Sequence, residues 1–182
     1  MGTWIVEADT LIQGDSTLGS GDAIITPAAS YETVRVETRA HVLDLTPGLG
    51  RAYVAVWTAF APGAQVAGIQ NAVENQDGAT NADVRMIQFF GDGQSGAIGD
   101  TQFATSDFIE TGDTITLVTD YRFPSTISST MYRERGGLTL HMDRSLAEVV
   151  SGNIGLGTHA ASAAFDYVLV TTAVPSLPCP AR

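Results

Sequence analysis

Residues 31–44 alternate apolar and polar side chains with period two. Val34, Val36, Ala40 and Val42 fall on one face of a strand, and Thr33, Arg35, Glu37, Arg39 and His41 fall on the other. The segment 51–61 repeats the pattern, with Val54, Val56 and Phe60 set against Arg51, Tyr53 and Trp57. Between them, residues 45–50 contain Pro47 and two glycines and read as a turn. Strands paired across that turn would merge the two polar sets into one surface. Arg35, Glu37, Arg39, Tyr53 and Trp57 would then offer aromatic faces to pyranose C–H groups and charged groups to hydroxyls, the chemistry of sugar binding. The plainer reading of the same pattern is a solvated sheet face laced by cross-strand ion pairs, with Trp57 as a packing residue.

Two acidic loops supply a second chemistry. Asn75, Asp77, Asn81 and Asp83 cluster in one, and Asp92, Asp100, Asp107 and Asp113 flank another. Calcium takes several carboxylate, amide and carbonyl oxygens, so Asp77 and Asp83 are the candidate ligands of a calcium cofactor. Asp and Asn also populate turns because their side chains bond nearby backbone, and no ligand spacing separates the two readings. His41, His141 and His159 are too scattered for a zinc motif.

Composition narrows the partners. The 182 residues carry 20 acidic groups against 9 basic ones, a net charge of −11, and every basic residue is Arg. Such a field repels phosphate backbones and anionic bilayers, so nucleic acid and membrane surfaces are poor partners. No apolar run approaches the roughly 20 residues of a membrane span. The opening Met1-Gly2-Thr3-Trp4 lacks the basic end and apolar block of a secretory signal. Lone Cys179 lies between Pro178 and Pro180 and reads as a stray or intermolecular thiol.

Positioning these side chains falls to strands. Besides 31–44 and 51–61, strand patterns cover 64–75, 84–90, 114–123, 126–132, 138–143, 153–158 and 165–172. Residues 91–113, rich in Gly, Asp, Ser and Thr, read as a long loop with a short strand near 102–104. The one helical candidate is 146–150, hardly more than a turn. About ten short strands separated by turn signals indicate an all-β sandwich or barrel. One domain over 1–172 and a Pro-rich tail over 173–182 complete the organisation.

The two ends carry a further signal. Gly2-Thr3-Trp4-Ile5-Val6 with Leu11-Ile12-Gln13 opens the chain, and Gly152-Asn153-Ile154-Gly155-Leu156 with Phe165-Asp166-Tyr167-Val168-Leu169-Val170 closes it. In both places the chain resembles bacterial members of the concanavalin A-like (laminin G-like) jelly-roll superfamily. The resemblance implies a two-sheet antiparallel β-sandwich, with Phe165, Val168 and Val170 on a central strand packed on both faces. Members usually have a strand ahead of the Gly-x-Trp segment, where this chain has only Met1.

Glycanases of that superfamily use a Glu-x-Asp-x-x-Glu string that sets two carboxylates across a glycosidic bond. No such string occurs; Glu32/Glu37 and Asp143/Glu148 come nearest, with the wrong parity. The Arg, Gln-x-His and Tyr pattern of related alginate lyases is also missing. The expectation is therefore a non-catalytic, secreted or cell-surface module that binds a glycan or a surface protein. The alternatives are a self-associating subunit of a surface layer or fibre, and a glycan-cleaving enzyme with an unfamiliar site.

Overall fold

The computed structural model describes residues 3–15, 23–25, 30–31, 34–61, 67–90, 92–122, 126–146 and 152–172, without side chains for 23–25 and 30–31. The proposed helical turn beyond Leu146, the tail 173–182 with Cys179, Gly2, Glu32 and Phe123 lie outside them.

The described residues form strands Trp4–Glu7 (β1), Thr10–Gln13 (β2), Ala23–Ile25 (β3), Ser30–Tyr31 (β4), Val34–Leu45 (β5), Arg51–Ala61 (β6) and Ala67–Gln76 (β7). Asp83–Phe90 (β8), Ser95–Gln102 (β9), Thr114–Arg122 (β10), Thr126–Arg133 (β11), Leu138–Ser145 (β12), Gly152–His159 (β13) and Ala161–Thr172 (β14) follow. One 3₁₀ turn, Arg135–Gly137, bends the chain between β11 and β12. The first sheet runs β1-β2-β14-β5-β10-β11-β12; the second runs β3-β13-β6-β7-β8-β9, with β4 also on β13. All pairings are antiparallel.

The sheets close on a core that includes Val36 and Val42 of β5, Val54 and Val56 of β6, Leu117 of β10 and Phe165 of β14. Through this apolar layer runs one satisfied polar bridge. Asn71 Nδ2 donates to Thr119 Oγ1 at 2.8 Å, and Ser129 Oγ donates to Asn71 Oδ1 at 2.9 Å, all three residues being buried. Such a network fixes one sheet against the other because any slip would strand a buried amide. Of the segments that carry the superfamily resemblance, the opening one and that of Phe165 meet in the first sheet: Leu11 lies opposite Phe165, and the Trp4 and Phe165 rings are 5.8 Å apart.

Besides the expected long loop of 91–113, in which Ser95–Gln102 forms the full strand β9, three expectations are corrected. First, β5 and β6 do not pair, because the 45–50 connection carries the chain from one sheet to the other. Asp77 holds that crossing, its carboxylate accepting from the N–H groups of Gly48 at 3.3 Å and Gly50 at 2.9 Å. Second, Phe60 faces the same way as Trp57. A bulge at Ala59 (φ 52°) shifts the alternation, and it is nested between glycines: a Cβ on Gly68 would lie 2.9 Å from Phe60 Cα, and one on Gly152 2.4 Å from the Ala59 carbonyl carbon. Third, β14 is packed on both faces only in its first half. Beyond Phe165 it is mostly exposed, with Val168 and Leu169 open to solvent, since β2 reaches no farther than Phe165.

Candidate functional site

On the outer face of the first sheet, the alternation of β5 puts Arg35, Glu37, Arg39 and His41 side by side. Each is already engaged. Arg35 lies 3.5 Å from Glu37 and 3.4 Å from Asp120 across the β5–β10 register; Arg39 contacts Glu134 at 2.6 Å and Asp166 at 3.4 Å. His41 Nε2 is 2.8 Å from Asp166 Oδ2, and Tyr167 donates its phenol proton to Glu37 at 3.0 Å. Partial burial and this bond raise the Tyr167 pKa. A depression of about 390 Å³ at one end is floored by Asp120, which Arg35 and Arg122 already hold. This face is the lattice of cross-strand ion pairs that polar alternation makes by default.

Tyr53 and Trp57 lie on the other sheet, on its outer face, and both are fully buried. Trp57 packs against Phe60 at 5.5 Å and Phe89 at 5.2 Å between centroids, and Tyr53 stacks on His159 at 5.4 Å. The structure therefore separates Arg35, Glu37 and Arg39 from Tyr53 and Trp57, and no common surface of the five exists.

The register of the second sheet brings together a different set. Facing outward, one row crosses five strands as His159, Tyr53, Glu74, Asp83 and Gln102. The next row is nearly bare at first, with Gly157, Ala55 and Ala72, and ends in Arg85 and Asp100. The third is Gly155, Trp57, Gln70, Ile87 and Ala97. At the β8–β9 end these rows open into a pocket of about 560 Å³ whose polar lining includes Gln76, Asn81, Asp83, Arg85, Asp100 and Gln102.

Its polar groups are incompletely matched. Glu74, wholly buried behind the pocket, takes Arg85 at 3.3 Å and Arg51 at 3.8 Å, and accepts from Gln76 Nε2 at 2.7 Å. The same Gln76 nitrogen reaches Asp83 Oδ2 at 3.3 Å. Asp83 Oδ1 and both amide atoms of Gln70 are buried without a hydrogen-bond partner. Buried polar atoms are rarely left so, which makes such positions conspicuous. Burial first, and then the charge of Glu74, pushes the Asp83 carboxyl up to about 6.

The remaining acids have local duties. Asp77 clasps Gly48 and Gly50, as described. Asp107 receives Arg133 in bidentate fashion, both bonds 2.7 Å, and Asp113 receives Arg135 at 2.5 and 2.9 Å. Arg133 also donates to the Phe108 carbonyl at 3.0 Å, and Asn75 clamps Ile109 by two backbone bonds, so the irregular segment after β9 is tightly moored. Among the described residues no three Asp, Glu, His or Cys side chains converge as a metal cage. Of the two predicted metal ligands, Asp83 alone faces the pocket.

Glu74, Gln76, Arg85 and Gln102 were not picked out from the sequence, and Asp100 was singled out only as one acid of the second acidic loop. The alternation of Gln70, Ala72, Glu74 and Gln76 was a usable signal. Strand β9 was not, because an edge strand reading Ser-Gly-Ala-Ile-Gly-Asp-Thr-Gln shows no apolar period and resembles a loop.

With both sheets and their order established, the protein is seen to have the concanavalin A-like jelly-roll fold. It superposes on the carbohydrate-binding module CBM66 from Bacillus subtilis with a TM-score of 0.69 at 19% identity, over 94% of this chain and 92% of that one. A legume lectin-like domain from Entamoeba histolytica gives 0.66 at 9% identity, covering 95% and 88%. The seed lectin of Lotus tetragonolobus gives 0.60 at 10% identity, covering 96% and 93%. No protein-family model and no curated protein matches the sequence.

Proposed function

We propose that the chain is a non-catalytic glycan-binding module, secreted or displayed at the cell surface, that takes its ligand in the pocket of Gln76, Asn81, Asp83, Arg85, Asp100 and Gln102. The observation that carries this reading is the buried, unpartnered Asp83 Oδ1 beside a row of planar amide and guanidinium groups. Vicinal sugar hydroxyls donate and accept at once, and such planar groups answer them in pairs. The solved neighbours include a carbohydrate-binding module and lectins, which supports the reading at the level of fold.

A glycan array with wild type, Asp83→Asn and Arg85→Ala tests it, run with and without calcium because Asp83 also suits that ion. Wild type should bind a defined set of glycans, and either substitution should weaken binding about tenfold or more, as expected for a lost charged hydrogen bond. An array with no bound glycan, or variants that bind unchanged, would reject the proposal.

A self-associating subunit is the second reading, favoured by the outer half of β14. Among the described residues, Tyr167–Thr172 pair with β5 alone, and the exposed Val168 and Leu169 lie on that open edge. Light scattering across a concentration series separates the two; a monomer throughout removes this reading.

A further inference from the structure

We propose that this pocket selects a glycan carrying a free amine, a hexosamine whose ammonium group lies against Asp83 and Asp100. The inference rests on the glycan-binding reading and adds the charge of the ligand. Three carboxylates and two guanidinium groups meet at this end of the second sheet, and their pairing is uneven. Arg51 and Arg85 both turn to Glu74, at 3.8 and 3.3 Å. Asp83 on β8 and Asp100 on the adjacent β9, in neighbouring rows on the same outward face, have no ion pair among the described residues.

Asp83 is only 8% exposed, and its one side-chain donor is the Gln76 amide at 3.3 Å. A carboxylate oxygen accepts hydrogen bonds and cannot donate. A ligand hydroxyl would fill one acceptor site and leave the excess negative charge in place. An ammonium supplies three donors and the missing positive charge together. Uronates and sulfated sugars carry the wrong sign, both for this pocket and for a chain of net charge −11.

The titration of Asp83 fits the same picture. The charged groups around it are Glu74 on β7, Arg85 on its own strand and Asp100 on β9; both acids raise its pKa and Arg85 lowers it. With burial added, the proton leaves only near pH 6. A bound ammonium would lower that value again, so binding below pH 6 must release a proton and must weaken as the pH falls.

Calorimetric titration of the intact chain with glucosamine, N-acetylglucosamine and glucose oligomers of equal length and linkage tests the proposal. The glucosamine oligomer should bind at least tenfold more tightly at pH 7 than either neutral oligomer. That preference should shrink at pH 5 and vanish in Asp83→Asn, with the fold of the variant checked by its thermal melt. Equal or tighter binding of a neutral oligomer would overturn the amine preference while leaving the glycan-binding reading intact. Calcium binding lost in Asp83→Asn, with no preference among the oligomers, would overturn it in favour of a metal site.

Discussion

Asp107 and Asp113 in the segment after β9, and Asp83 and Asp100 in the pocket, are four carboxylates from two similar acidic loops, yet the fold treats the pairs in opposite ways. The first pair receives Arg133 and Arg135 in short, geometrically matched bonds, and Arg133 itself is only 4% exposed. The second pair is packed beside a third acid whose arginines are already committed to it. A protein keeps acids of the first kind for architecture, since they moor an otherwise irregular segment. Acids of the second kind cost stability and persist where a partner from outside completes them. The linkage signs follow. The Arg133 bonds hold Asp107 below the usual carboxylate range, whereas burial lifts Asp83 above it.

The largest expected effect is therefore Arg133→Met. The substitution removes both bonds to Asp107 and one to the Phe108 carbonyl, together with the stacking of the guanidinium 5.0 Å above the Phe103 ring. Breaking a largely buried pair costs about 3 kcal/mol, readable as a lowered urea midpoint. Hydrogen exchange should quicken at the amide of Ala82, which bonds the Asp107 carbonyl, and at that of Phe103, which bonds the Ala82 carbonyl. Arg133→Lys should recover only part of the loss, because a lysine cannot reproduce the two parallel bonds. A variant as stable as wild type would erase the distinction between the two acid pairs.

Asp83→Asn should move stability the other way. The folded chain holds the Asp83 proton up to about pH 6, while the unfolded chain releases it near 3.8. Stability contributed by this group is thus present at pH 4 and is lost as the pH rises through 6. The amide mimics the protonated acid, so the variant should match wild type at pH 4 and exceed it at pH 7.5 by on the order of 2 kcal/mol. Paired melts at the two pH values measure this. A variant that is less stable at pH 7.5 would mean that Asp83 is already satisfied, and the pocket would lose its claim to a ligand.

These contrasts explain what could be read from residue order. Period-two alternation located the core-facing Val34, Val36, Ala40 and Val42 of β5 because burial on one face imposes it directly. The end segments were informative for a similar reason, since β2 and β14 pair and their patterns are set by one shared core. Partnership between side chains was not legible. Nothing in the order of residues says that the 45–50 turn crosses between sheets, so Trp57 could be placed on a face but not on a sheet. Arg85 and Asp100 are brought together by register on an edge strand that lacks an apolar period. Phe60 was misassigned by one bulge, whose cause lies in two glycines remote from it in the chain.

The ion-pair lattice of the first sheet is the intermediate case, matched but exposed, and it gives the smallest expected effect. Arg35 has a side chain 47% exposed and partners at 3.4 and 3.5 Å. Its removal strands neither partner, because Asp120 keeps Arg122 at 3.2 Å and Glu37 keeps the Tyr167 phenol at 3.0 Å. Arg35→Ala should consequently cost no more than about 0.5 kcal/mol in low salt and less in high salt. Glycan binding should be unchanged, since the pocket lies on the opposite sheet. A loss of binding with the melt unaltered would put the ligand on the face of Arg35, Glu37 and Arg39 after all. In that event the unpaired acids of the second sheet would need an explanation other than recognition.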